Sequence, residues 1–105
     1  MRFQPLEKLI NLHDGYAKTF SIDSLHLLLR QDDGQVLLTE AYCPHRGHAL
    51  ASATVSGGVL ECPLHAYRFS ITSGEVIRCG EEPCRALKVY GLIYERTELG
   101  LMLED

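Results

Sequence analysis

Two short segments constrain this chain more than anything else in it: Cys43-Pro44-His45 and Cys62-Pro63-Leu64-His65, with sixteen residues between them. Each offers one thiolate and one imidazole, and each follows a run of strand-forming residues. The prolines, with φ locked near −65°, hold the donors in fixed directions. Gly47 and the Gly57-Gly58 pair leave the backbone room to come close to a bound group. Any fold this chain adopts has to bring both loops to one point.

The rest of the chain supplies strands. Runs at 16–22, 25–30 and 36–40 are rich in apolar and β-compatible residues, with Asp32-Asp33-Gly34 as the turn between the last two. Further strands are expected at 59–62, 66–70, 86–90, 92–95 and 99–103, punctuated by Gly57-Gly58, Ser73-Gly74, Gly91 and Gly100. Leu6 to Leu12 reads at most as a turn of helix, bounded by Pro5 and Asp14-Gly15. The expected class is all-β, a small antiparallel sandwich or barrel of 105 residues in one domain.

Charge divides the chain into parts. Residues 1–40 carry six acids and four bases, and residues 78–105 carry the same. Residues 41–77 sum to zero, with Arg46 and Arg68 against Glu61 and Glu75, yet hold three of the five histidines and two of the four cysteines. This predicts basal sheets from 1–40 and 78–105 carrying a functional lobe at 41–77. The net charge of −4 lacks the basic footprint of a nucleic-acid binder. No apolar run approaches the roughly 18–20 residues of a membrane span. The N-terminus, Met1 to Lys8, has no apolar core of a signal peptide, so a cytoplasmic location is expected. In such a reducing compartment cysteines bind metal more often than they pair.

Two loops with one Cys and one His each could hold a tetrahedral zinc, but structural zinc sites usually pair like with like on each knuckle. A mixed pair on each loop suits a two-iron centre better, one iron taking both thiolates and the other both imidazoles. The runs Cys43-Pro44-His45-Arg46-Gly47-His48 and Cys62-Pro63-Leu64-His65-Ala66-Tyr67-Arg68-Phe69 resemble those of Rieske [2Fe–2S] proteins, and the resemblance extends over nearly the whole chain. It implies the Rieske fold, one [2Fe–2S] cluster, and Cys43, His45, Cys62 and His65 as its ligands. His48 is read as a loop residue, His13 and His26 as ordinary strand or turn residues, and Cys79 and Cys84 as free structural thiols.

Departures from subgroup patterns narrow the resemblance. Respiratory Rieske proteins carry an extra disulfide between the loops; the matching positions here are His48 and Leu64. They also carry Ser and Tyr hydroxyls where this chain has Tyr67 and Phe69. Fewer hydrogen bonds to the cluster sulfurs favour the low end of the Rieske range, around −150 mV. Rieske oxygenases add an iron site with two histidines, and no histidine follows His65. The implied group is the free-standing Rieske ferredoxins: monomeric, non-enzymatic carriers between a flavin-dependent reductase and a terminal aromatic-ring hydroxylating oxygenase. In that group the His-bound iron lies near the lobe tip, among Pro44, Leu50, Pro63 and Leu64. The acids Glu81, Glu82, Glu95 and Glu98 could steer a basic partner. Open alternatives are the Rieske-like small subunit of a cytoplasmic nitrite reductase, a carrier for an unrelated monooxygenase, and a zinc-stabilised module without redox function.

Overall fold

The computed structural model describes residues 2–44, 47–63, 67–79 and 84–103. The strands, in chain order, are β1 (Arg2–Lys8), β2 (Ala17–Ile22), β3 (Leu25–Asp32), β4 (Gln35–Glu40), β5 (Thr54–Ser56) and β6 (Val59–Glu61). They continue as β7 (Arg68–Ser70), β8 (Val76–Arg78), β9 (Val89–Tyr90), β10 (Ile93–Glu95) and β11 (Glu98–Leu103). Among the described residues there is no α-helix, only 3-10 turns at Leu9–Asn11 and Leu50–Ser52. The strands form three antiparallel sheets with orders β1-β11-β10, β2-β3-β4-β9 and β5-β6-β7-β8. The all-β expectation holds.

The middle sheet organises the molecule. Strand β3 carries Leu27-Leu28-Leu29, all but inaccessible, as a strand buried on both faces must be. Leu27 and Leu29, with Leu38 of β4, face one core that includes Leu99, Leu101 and Leu103 of β11. Leu28 and Leu37 face the opposite core, shared with Leu50, Leu60, Phe69 and Leu87. Each fully buried leucine contributes about 1.5–3 kcal/mol. The β3–β4 hairpin thus lies between the β1-β11-β10 sheet and the β5–β8 sheet.

Turn chemistry sets the registers. Asp32 pairs with Gln35, so only Asp33 and Gly34 form the loop, at φ 50° and 79°. Both positive angles are those of the type I′ hairpin turn, which matches strand twist. The Asp14 carboxylate accepts hydrogen bonds from the Gly34 N–H at 2.7 Å and from Gln31 Nε2 at 3.0 Å, pinning this turn.

Strands β5 and β8 are not among the expected strands, and two further segments depart from the sequence reading. The helix turn expected over Leu6–Leu12 is instead the end of strand β1 followed by the 3-10 turn. Pro5 is tolerated there because β1 is an edge strand and its register shifts between Pro5 and Glu7. Glu7 then anchors the turn, accepting the Lys8 N–H at 2.9 Å, Asn11 Nδ2 at 2.9 Å and the Tyr16 hydroxyl at 2.7 Å. The strand expected at 86–90 shrinks to Val89–Tyr90, since the chain before it runs as an irregular strap.

Candidate metal centre

The sheet β5–β8 and the two Cys-bearing loops form one lobe on the outer face of the middle sheet. The first loop leaves the end of β4, where the Ala41 N–H donates to the His26 carbonyl at 2.9 Å. Cys43 follows, and its N–H donates to the His48 carbonyl at 2.8 Å, while the Gly47 N–H donates to the Cys43 carbonyl at 2.7 Å. The second loop leaves β6, and the Cys62 N–H donates to the Tyr67 carbonyl at 2.8 Å. In both loops the cysteine N–H is thus bonded to the carbonyl five residues on. The segments 43–48 and 62–67 are closed in the same way, and each encloses the histidine singled out from the sequence.

Neither cysteine forms a disulfide, and Cys43 at 3% and Cys62 at 1% exposure are buried in one apolar core with Leu50, Leu60, Tyr67 and Phe69. His45 and His65 lie outside the described residues, as do Leu64 and the acids Glu81 and Glu82. Among the described residues no three metal-binding side chains converge, as two of the four expected donors are not among them. What the structure brings together is the thiol pair. Two buried thiols at the feet of matching loops, with His45 in the first loop and His65 in the second, fit the two-Cys, two-His donor set of a Rieske cluster. Cys43, Cys62, Cys79 and Cys84 form no disulfide.

Arg30 holds this arrangement from below. Its side chain, buried on the lobe face of β3, donates to the carbonyls of Leu50 at 3.4 Å and Ala53 at 2.9 Å. It also pairs with Asp32 of its own strand. The 3-10 turn that ends the first loop is thereby tied to the middle sheet, and a buried cation finds the partners it needs. Nothing in a strand ending Leu28-Leu29-Arg30 distinguishes this arginine from an exposed one. Tyr67 and Phe69, two and four residues after His65, are both buried, and Phe69 presents no hydroxyl. His48 is half-buried and contributes its backbone carbonyl. His13 stacks edge-on against Tyr16, and His26 against Tyr42. Cys84 packs against the same core as Cys43 and Cys62, and burial raises its thiol pKa, with Cys43 and Cys79 adding to the effect.

A family model described as the Rieske [2Fe-2S] domain matches residues 3–91. The chain belongs to the Rieske [2Fe–2S] domain family. The cofactor of this Rieske domain is accordingly a [2Fe–2S] cluster. The biphenyl dioxygenase ferredoxin subunit of Pseudomonas sp. (strain KKS102) is 32% identical over 86 residues, 81% of this chain and 77% of that protein. Cholesterol 7-desaturase of Bombyx mori is 46% identical over 58 residues, 51% of this chain, and the chain spans only 13% of its length. Among solved structures, the ferredoxin of carbazole 1,9a-dioxygenase from Nocardioides aromaticivorans IC177 superposes with a TM-score of 0.79. At 20% identity it covers 99% of this chain and 100% of that one. This shared architecture establishes the fold.

Proposed function

We propose that this Rieske domain is a one-electron carrier whose cluster is held by Cys43 and Cys62 on one iron and by His45 and His65 on the other. It takes electrons from a flavin-dependent reductase and delivers them to a terminal, aromatic-ring hydroxylating oxygenase, itself making and breaking no substrate bond. The observation that carries this reading is the similarity to a dioxygenase ferredoxin subunit over most of both chains. A cluster with two neutral imidazole ligands supplies a one-electron couple at higher potential than an all-thiolate cluster does.

The residues of the chain serve that role in distinct ways. Cys43 and Cys62 hold the thiolate side inside the apolar core, where water is excluded. The imidazoles of His45 and His65 would face the partner. Pro44, Pro63 and Leu64 would surround them with a small, largely neutral docking face, in keeping with redox contacts below about 1,200 Å²; Leu50, expected in that face, is instead fully buried in the core beneath it. Phe69, which cannot donate to the cluster sulfurs, favours a potential toward −150 mV, the lower end of the Rieske range. We read the carrier as monomeric and cytoplasmic; no helix among the described residues is long and apolar enough to cross a membrane.

The higher local identity to a cholesterol 7-desaturase favours a second reading, in which the acceptor acts on a non-aromatic substrate. The test is reconstitution: the chain replaces the ferredoxin subunit in the biphenyl dioxygenase system of strain KKS102, and substrate-dependent NADH oxidation is followed. Turnover that requires the chain supports the first reading. Rapid reduction by the reductase without turnover by that oxygenase supports the second.

A further inference from the structure

The strap at residues 84–88 joins the lobe to the middle sheet at three places. Leu87 is buried, and its N–H donates to the Gly74 carbonyl at 2.8 Å, at the β7–β8 turn. Gly74 has φ +79°, and a Cβ there would lie 1.8 Å from the Leu87 carbonyl oxygen, so the two segments touch backbone to backbone. Cys84, at the start of the strap, packs against the core that holds Cys43 and Cys62. The third fastening is ionic. Arg85 donates from Nη1 and Nη2 to the two carboxylate oxygens of Glu40, at 2.7 and 2.6 Å. Glu40 also accepts the Lys88 N–H at 2.7 Å, and its own N–H donates to the Lys88 carbonyl at 3.0 Å.

Exposed ion pairs as a class contribute about 0–1 kcal/mol. This one differs in two respects. The Glu40 side chain is only 12% exposed, against 52% for Arg85, and the contact is two-pronged with a third, backbone donor on the same carboxylate. Glu40 is also the last residue of β4, three positions before Cys43, with Ala41 clamped between the His26 carbonyl and the Leu50 N–H. Fixing the Glu40 carboxylate therefore fixes the point from which the first loop departs.

We infer that the Glu40–Arg85 pair is a latch that sets the position of the Cys43 loop against the strap, making both residues positioning residues for the cluster. The inference rests on Cys43 being a cluster ligand. Arg85→Gln removes fork and charge; Arg85→Lys keeps the charge and loses the fork. Arg78→Gln, at an exposed position of β8, removes the same charge elsewhere on the lobe and serves as control.

The readouts are the g values of the reduced cluster and its half-life against a ferrous-iron chelator. Both Arg85 variants are expected to shift the g values and shorten the half-life at least threefold, with Arg78→Gln unchanged. In the unmodified protein, added salt should shorten the half-life, and the Arg85→Gln variant should be less sensitive to it. A silent Arg85→Lys variant, with Arg85→Gln altered, would mean the charge acts alone and would overturn the latch. So would variants that lose only thermal stability, and so would equal salt sensitivity of the two proteins. Unmodified protein that assembles no cluster would instead overturn the ligand assignment on which the latch depends.

Discussion

Gly74→Ala is the substitution whose cost the structure defines best. Alanine at φ +79° takes on the left-handed conformation, a penalty of about 1–2 kcal/mol. Its Cβ would begin 1.8 Å from the Leu87 carbonyl oxygen, where ordinary carbon contacts lie at ~3.5–4.0 Å, so the strap has to retreat. Retreat breaks the 2.8 Å hydrogen bond from the Leu87 N–H to the Gly74 carbonyl, about 1 kcal/mol. It also exposes part of the Leu87 side chain, which is worth about 1.5–3 kcal/mol when fully buried. The total is about 3–6 kcal/mol in a domain whose whole stability is of order 5–15 kcal/mol. Gly34→Ala is the matched control, with the same φ of +79° and no atom within 4 Å of the added methyl. Only the backbone penalty applies there. The assay is the thermal unfolding midpoint of both variants, where 1 kcal/mol corresponds to about 4–8 °C in a domain of this size. The Gly74 variant should fall at least about 8 °C below the Gly34 variant. Equal losses would refute the claim that the strap and the β7–β8 turn are in obligatory backbone contact.

Further expectations concern the site and the base. Cys43→Ser, Cys62→Ser, His45→Ala and His65→Ala should each abolish the visible spectrum of the cluster, whereas His48→Ala should leave it intact; cluster loss in the His48 variant would reassign the ligands. Phe69→Tyr places a hydroxyl in the core that holds Cys43 and Cys62. If it donates to a cluster sulfur in the reduced state with about 1.4 kcal/mol, the midpoint potential rises on the order of 59 mV. An unchanged or lowered potential would count against the hydrogen-bond account. The Glu7 carboxyl is held down to about 2 by hydrogen bonds from Asn11, Tyr16 and Lys8. Its folded pKa lies below the ordinary 4.5, so its stabilising effect is present above that value and is lost as the pH falls toward about 2. Glu7→Gln should flatten the acid limb of stability against pH, and an unaltered limb would remove Glu7 from it.

The site was legible because its chemistry is written in residue types at short spacing. Cys43-Pro44-His45 and Cys62-Pro63-Leu64-His65 can be picked out without any knowledge of what lies far away in the chain, and of these donors the structure brings Cys43 and Cys62 into one core. The Asp33-Gly34 turn was legible for the same reason, as left-handed backbone at both positions has few residue choices. Segments governed by distant partners were not. Leu6 to Leu12 reads as a turn of helix bounded by Pro5, yet Pro5 lies inside β1, an edge strand whose register shifts beside it. The strap reads as strand-forming, but Leu87 and Lys88 give their N–H groups to Gly74 and Glu40. Arg30 and Arg85 find carbonyls and a carboxylate that are 20 to 45 residues away, and no local pattern reports that. Strands β5 and β8, three residues each, are too short to show a period of two.

The central claim is that one chain binds a cluster of mixed Cys and His ligation at low potential. A reductive titration of the isolated protein, followed by electron paramagnetic resonance, tests it directly. The account predicts a rhombic signal with an average g value below that of the free electron, appearing only at potentials toward −150 mV. A signal that appears at clearly positive potential would contradict the reading of Tyr67 and Phe69. The absence of a signal at any potential would contradict the cluster itself.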